Sequence, residues 1–374
     1  MCIKQSGVIL PRGWQDIDAL MRRALADRVF PGGVLWVSRE DRVVFKNAYG
    51  YANIFSAKPA TLDTVFDLAS LTKPLATGLA VMKLAAQGRL DLEQSLASVL
   101  PAFIDSGKDE IQLHQLLSHT SGLPDYQPYY KEICRLPRRI RKPSLRRLLV
   151  NEPLVGLPGR KRVYSDLGFM ILEWVVEAAG GTGLDCFVDE NIYRPLGIES
   201  LFFTNCLEDH RRQCNFAATE LCPWRGRLLE GMVHDDNAYS AGGVGGHAGL
   251  FGTAGDVHVL LRELLKGYGD DPACFFPPAL VREFLTPRTG CHGCLGFDQP
   301  SAEGSSSGRY FSEHSVGHLG FTGTSFWMDL RRSIIIILLT NRVHPRRDNW
   351  KIKAFRPVVH NRIMQKLLGR KCSA

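Results

Sequence analysis

Apolar residues recur at helical spacing through Trp14, Ile17, Leu20, Met21 and Ala24, which predicts an amphipathic helix over residues 14–28. Pro31-Gly32-Gly33 ends it. The period then shortens. Residues 34–38 and 43–47 are β-rich runs on either side of Arg39-Glu40-Asp41, the pattern of a hairpin. A long helix is expected to begin near Ser70, where Leu75, Leu79, Met82, Leu84 and Ala85 form one apolar face and Gly88 marks the end.

Residues 90–240 read as mainly helical and loop-rich. Helical patterns lie at 144–151, 166–179 and 183–193, and Pro195-Leu196-Gly197 stops the last of them. A glycine-dense run from Ala241 to Gly249 follows, then a helix over 254–267 with Thr253 placed to cap it. Strands are expected over 321–330 and 333–340, joined at Arg331-Arg332, with a closing helix at 353–368. Strands at both ends of a chain can pair in one sheet. The helical middle is then an insertion, giving a sheet domain of residues 1–75 and 241–374, a mainly helical domain of 76–240, and one catalytic unit.

Composition changes this picture little. Hydrophobic residues make up 45% and charged residues 22%, which is ordinary globular usage and excludes a disordered chain. The longest strongly apolar run, Ile334 to Leu339, is too short to span a bilayer, so no membrane span is expected. The first residues lack a long apolar core with a small-residue cleavage site, and the ten cysteines are scattered. The expectation is therefore no signal peptide and a reducing cytoplasm. Most of the net charge of +8 lies between Lys131 and Arg147, where eight basic residues meet one acid, Glu132. No aromatic platform accompanies them. A solvated loop or the rim of an anionic-substrate site is expected, in preference to a nucleic-acid surface.

Three short phrases carry candidate chemistry. Ser70-Leu71-Thr72-Lys73 is the only S-x-x-K of the chain, and spacing i, i+3 puts both side chains on one helix face. Pro74 is tolerated only near a helix start, which places Ser70 among free N–H groups. Lys73 can hold or accept the serine proton. Tyr164-Ser165-Asp166 offers a phenol whose ordinary pKa of about 10 a neighbouring ammonium can lower, and a carboxylate for Lys73. Tyr51-Ala52-Asn53 has a similar pattern but precedes Ser70 at the end of a hairpin strand, and is set aside. Gly317-His318-Leu319-Gly320-Phe321 reads as a glycine-rich strand able to approach a substrate, with His318 placed to orient Tyr164 or Lys73 or to donate a proton. Each phrase alone also has a plain structural reading, as a capping serine, a loop tyrosine or a glycine turn.

Taken in order, the three resemble the S-x-x-K, Y-x-N and K-T-G set of class C β-lactamases, penicillin-binding proteins and related serine esterases. Matching phrases are Leu116 to Leu123, Pro195-Leu196-Gly197-Ile198 and Gly249 to Asp256, and the resemblance runs from about residue 14 to about 365. It implies an α+β fold, a mainly antiparallel sheet flanked by helices with an inserted all-helical domain. It implies Ser70 as nucleophile, Lys73 as its partner, Tyr164 as base, and an oxyanion hole of the Ser70 and Phe321 N–H groups. Asp166, His318 and Gly320 are supporting residues. Two positions depart from the pattern: Asp166 replaces Asn, and His318-Leu319-Gly320 stands where Lys-Thr-Gly is usual. Loss of that lysine and threonine favours a less anionic ester or amide over a β-lactam. Arg342 is the cation best placed to compensate. Arg288-Thr289-Gly290 is a rival third motif, but lacks the long strand, second strand and closing helix that follow His318.

The segments around Ala217 to Gly226 and Val233 to Ala238 resemble serine hydrolases found alone or fused to muropeptide-recycling glycosidases. That resemblance implies cell-wall-derived substrates. Cys291-His292-Gly293-Cys294 is a lone C-x-x-C without a second pair, and no metal is expected. His119 reads as a structural hydrogen-bonder. The expected activity is hydrolysis of a small-molecule ester, amide or peptide through an acyl-enzyme, without cofactor. The alternatives are a D-alanyl-D-alanine-type carboxypeptidase, a β-lactamase, or a catalytically silent receptor.

Overall fold

The computed structural model describes residues 13–204, 214–288 and 293–369. Six strands form its main sheet: β1 Gly32–Arg39, β2 Arg42–Asn53, β3 Lys58–Pro59, β4 Ser315–Leu319, β5 Ser325–Asp329 and β6 Ile334–Thr340. Their spatial order is β3-β2-β1-β6-β5-β4, with antiparallel neighbours throughout. The two ends of the chain meet where β1 pairs with β6, Val34 opposite Leu339 and Leu35 opposite Leu338.

The central strand β6 is buried over its whole length. Its unbroken apolar run still obeys the two-residue period. Ile334, Ile336 and Leu338 pack with Ile17 and Met21 of the helix Gln15–Ala26 and with Val359 and Ile363 of the helix Ile352–Leu367. Ile335, Ile337 and Leu339 face the other core, with Leu260 and Leu264 of the helix Ala254–Tyr268 and the apolar helix Asp166–Gly180. Each such buried side chain contributes roughly 1.5–3 kcal/mol of transfer free energy. Thr253 caps its helix through the Asp256 N–H, as expected.

Three expectations change. The strand read over 321–330 is in fact a turn followed by β5, and β4 precedes both. Gly323, at a φ of 111°, closes the turn by donating its N–H to the Gly320 carbonyl at 3.1 Å. His318 therefore lies near the end of an edge strand. The long helix from Ser70 is broken into a 3-10 turn Ala69–Leu71, a wide π-type turn Lys73–Gly78 and an α-helix Leu79–Ala86, because Pro74 supplies no N–H to a regular ladder. The middle of the chain is not all helical: Phe202–Phe203 pairs with Leu250–Gly252, itself paired with Phe66–Asp67, and Leu221–Cys222 pairs with Arg227–Leu228. Two-residue strands are too short to show a period in sequence. Among the described residues, no single helix is long and apolar enough to cross a membrane.

The basic segment is divided between the helices Tyr130–Ile133 and Arg138–Asn151. Lys142 contacts Glu173 and Glu177, and Arg146 pairs with Glu177, so part of its charge is neutralised against the helix Asp166–Gly180.

Candidate active site

Ser70 is reached through Ala69, whose φ of 49° puts a non-glycine residue in the left-handed region. Asp67 holds that conformation: one carboxylate oxygen accepts the Ala69 N–H at 2.9 Å and the other the His234 N–H at 2.6 Å. Across the cleft, Thr322 Oγ1 donates to the Asp67 carbonyl at 2.7 Å and Thr324 Oγ1 to the Leu68 carbonyl at 3.0 Å. These two bonds fasten the segment before Ser70 to the turn after β4. Gly320 lies at the crossing, where a Cβ would collide with Thr324 Oγ1 and the Leu68 carbonyl. Ser70 and Phe321 consequently line one cavity of about 290 Å³, together with Tyr164, Asp298, His318 and Arg342 among others.

Lys73 is fully buried beneath Ser70. Its Nζ lies 3.2 Å from Ser70 Oγ, 2.6 Å from Asp166 Oδ1 and 3.1 Å from the His247 carbonyl. An ammonium has three protons, and here three acceptors. Burial alone would lower the lysine pKa, but Asp166, and then Tyr164, outweigh it and hold Lys73 above its ordinary range. Asp166 opens the helix Asp166–Gly180, where the helix dipole favours a carboxylate, and Ser165 caps that helix through the Gly168 N–H.

Tyr164 corrects the expectation of a lowered phenol. Burial raises its pKa, Lys73 opposes this without prevailing, and Asp166 adds to the rise. The phenol still interacts with both Lys73 and Ser70, and Lys73 Nζ stands 4.9 Å from the ring centroid. Lys73, Tyr164 and Asp166 thus form one coupled group whose protons belong to the set. His119 acts structurally, as read: its Nδ1 accepts the Ser165 N–H at 3.0 Å, and its ring packs 4.5 Å from that of Tyr164.

His318 is buried on the opposite wall, its ring 5.9 Å from that of Tyr164. Burial pushes its pKa down to about 4, so at neutral pH it is uncharged and has no acidic proton to give. The proton-donor role expected of it is not supported. Arg342 does line the cavity, but it donates Nε–H to the Phe321 carbonyl and Nη1–H to the carbonyls of Arg347 and Asn349, each at 2.8 Å. Its guanidinium stands 4.5 Å from the Phe321 ring and 4.3 Å from that of Trp350. Arg356 likewise donates to the Gly320 and Thr324 carbonyls. Both guanidiniums brace the turn that carries Phe321.

Other sequence candidates lie elsewhere. Tyr51 and Asn53 belong to β2, and Asn53 binds Glu230 at 2.8 Å. Arg288 pairs with Glu93 and Glu283 on the helical side, while Thr289, Gly290, Cys291 and His292 lie outside the described residues. Cys294 is buried, its thiol pushed up to about 12 by burial, and donates to the Leu285 carbonyl. Two contributors went unread. Asp67 acts through main-chain N–H groups. His247 supplies its carbonyl to Lys73 while its ring binds Asp235 at 2.9 Å. Burial opposes both charges of that pair, but Asp235 raises the His247 pKa and His247 lowers that of Asp235. The glycine-dense run and the Val233 to Ala238 phrase were the available signals for it. Around them, Arg225 and Arg347 pair with Asp236, and Arg347 also with Glu220.

The family model described as Beta-lactamase matches residues 17–355. An N-acetylmuramyl-L-alanine amidase of Bacillus subtilis (strain 168) is 34% identical over 363 positions, covering 88% of this chain and 81% of the relative. A putative D-alanyl-D-alanine carboxypeptidase of Escherichia coli (strain K12) is 33% identical over 344 positions, covering 84% and 79%. Among solved structures, EstCE1, a hydrolase with promiscuous acyltransferase activity, superposes with a TM-score of 0.71 at 23% identity, covering 92% of this chain and 98% of that one. The octameric penicillin-binding protein homologue from Pyrococcus abyssi gives 0.74 at 19% identity, covering 96% and 78%. At such identities the solved structures speak for the fold, and the family match and the curated relatives for the rest. The chain belongs to the Beta-lactamase family, within the serine β-lactamase and penicillin-binding-protein superfamily, and is a serine hydrolase.

Proposed function

We propose that the chain hydrolyses an ester or amide bond of a small, cell-wall-derived compound through an acyl-enzyme on Ser70. The observation that carries this reading is Ser70 Oγ held 3.2 Å from a buried, triply bonded Lys73 at the wall of the cavity. Ser70 Oγ attacks the carbonyl carbon, and its proton enters the coupled Lys73–Tyr164–Asp166 group. The oxygen that gains charge faces the Ser70 and Phe321 N–H groups. The tetrahedral centre then collapses, breaking the bond to the leaving nitrogen or oxygen, which takes a proton through Tyr164. Water repeats the attack, and the acid leaves.

The amidase and carboxypeptidase names of the curated relatives support cell-wall chemistry. Neutral His318 in place of a cation, and two guanidiniums bound to carbonyls, favour a substrate without a carboxylate beside the scissile bond. This weighs against the carboxypeptidase and β-lactamase alternatives. The test is a fluorophosphonate label, followed by intact mass and peptide mapping. Attachment to Ser70 is expected. An unlabelled Ser70 in folded protein would leave the silent receptor as the better reading.

A further inference from the structure

One buried residue touches both segments that carry the oxyanion-hole donors. His234 is 4% exposed and does not line the cavity. Its main-chain N–H donates to Asp67 Oδ2 at 2.6 Å, while Asp67 Oδ1 accepts the Ala69 N–H and so holds the left-handed residue before Ser70. Its ring stacks on that of Phe321, with centroids 5.5 Å apart and planes at 24°. Either contact alone has a packing explanation. The two together tie the main chain of Ser70 to that of Phe321.

Phe321 needs such support, because its side chain is 41% exposed and burial contributes little to holding it. The contacts close a loop. His234 Nε2 stands 3.3 Å from Glu220 Oε2, a contact of position rather than an aligned hydrogen bond. Both Glu220 oxygens accept from Arg347 Nε at 2.8 Å. The Arg347 carbonyl accepts from Arg342, which also binds the Phe321 carbonyl and lies 4.5 Å from the Phe321 ring. The chain of contacts leaves Phe321 through His234 and returns to it through Arg342.

We propose that His234 is a positioning residue for the oxyanion hole, setting the spacing of the Ser70 and Phe321 N–H groups through Asp67 on one side and the Phe321 ring on the other. The inference rests on the reading above, in which those two N–H groups receive the charge that develops on the carbonyl oxygen. The His234 ring itself does not meet the substrate. Its effect belongs to the transition state, where a donor misplaced by a fraction of an ångström loses much of its worth. Ground-state binding should hardly change.

A thionoester tests this, because sulfur is larger than oxygen and a poorer acceptor, so a well-spaced hole favours the oxygen ester. The probes are p-nitrophenyl acetate and its thiono analogue, with kcat and KM measured for each. His234→Ala should lower kcat/KM for the oxygen ester about thirtyfold, leave KM within about twofold, and shrink the oxygen-over-sulfur preference about tenfold. His234→Phe keeps a ring against Phe321 and the same main-chain N–H, and should restore most of both. Phe321→Ala keeps its own N–H but removes the stack. It should match His234→Ala, and the double variant should be no worse than either. The rate of fluorophosphonate labelling at Ser70 should fall in parallel, since the phosphonyl oxygen occupies the same hole, and it decides the matter where neither ester is turned over. A lowered unfolding temperature with unchanged preference and labelling rate overturns the proposal, as do fully additive losses in the double variant. Wild-type protein that labels at Ser70 without distinguishing oxygen from sulfur removes the hole assigned to Ser70 and Phe321, and this proposal with it. Failure to label at Ser70 removes the acyl-enzyme reading itself.

Discussion

The two walls of the cavity solve opposite problems. On the Ser70 wall the polar atoms are mutually engaged, with all three Lys73 protons directed at Ser70, Asp166 and the His247 carbonyl. On the His318 wall an acceptor is left over, and the rings of Phe321 and Trp350 cover Arg342. The first wall is fully paired before substrate arrives, and loss of the Asp166 carboxylate would leave the buried Lys73 charge without its counter-ion. On the proposed function, chemistry and selection fall to separate elements, the turn before Leu79–Ala86 and the edge strand β4.

The largest effect should come from the first wall. Ser70→Ala should lower kcat by several orders of magnitude while the thermal unfolding midpoint stays close to that of the wild type, because only the covalent route is lost. Near wild-type turnover of the best substrate would show that the covalent route does not run through this serine.

If that wall is one unit, its members must be non-additive. The double variant Lys73→Ala with Tyr164→Phe should be scarcely slower than the poorer single variant. Losses in kcat that multiply would mean two independent roles, and Tyr164 would no longer be the base.

The selection wall should show a smaller effect. A p-nitrophenyl short-chain ester should exceed nitrocefin in kcat/KM by at least about two orders of magnitude, roughly 2.7 kcal/mol. His318→Lys with Leu319→Thr should narrow that gap. Comparable wild-type efficiencies on the two substrates would restore the β-lactamase reading and erase the difference between the walls.

The smallest effect probes which group must stay charged. Asp166 is the first among the groups that raise the Lys73 pKa, so Asp166→Asn should bring that pKa down. If the ammonium is required, the alkaline limb of kcat/KM moves to lower pH, with a loss of about tenfold near pH 8. If neutral Lys73 is the base, the same variant gains activity near neutrality. A pH–rate profile decides by its sign.

Much of the first wall was legible because its spacing is local. Ser70 and Lys73 are three residues apart in a helical turn, and Pro74 fixes where that turn begins. Asp166 was readable as a carboxylate replacing an amide. The sign of the Tyr164 shift was not, because a nearby ammonium can be inferred from sequence but the degree of burial opposing it cannot. The edge strand was read at Gly317 to Phe321, two residues late, for a related reason. Ser-Val-Gly-His-Leu is five residues long with glycine at its centre, so it carries hardly any alternation to detect.

The sequence by itself determined the alternation within β6, the apolar helix faces, the spacing of Ser70 and Lys73 and the absence of a cation at position 318. These depend on residue type and on neighbours a few positions away. The tertiary structure alone decided that Thr322 and Thr324 clasp the carbonyls of Asp67 and Leu68, that His247 gives Lys73 its third acceptor, that Arg342 serves a loop, and that His318 keeps an unused lone pair. Those contacts join segments far apart in the chain. Most of them use main-chain oxygens, which every residue carries alike, so nothing in a side-chain alphabet announces them before the chain has folded.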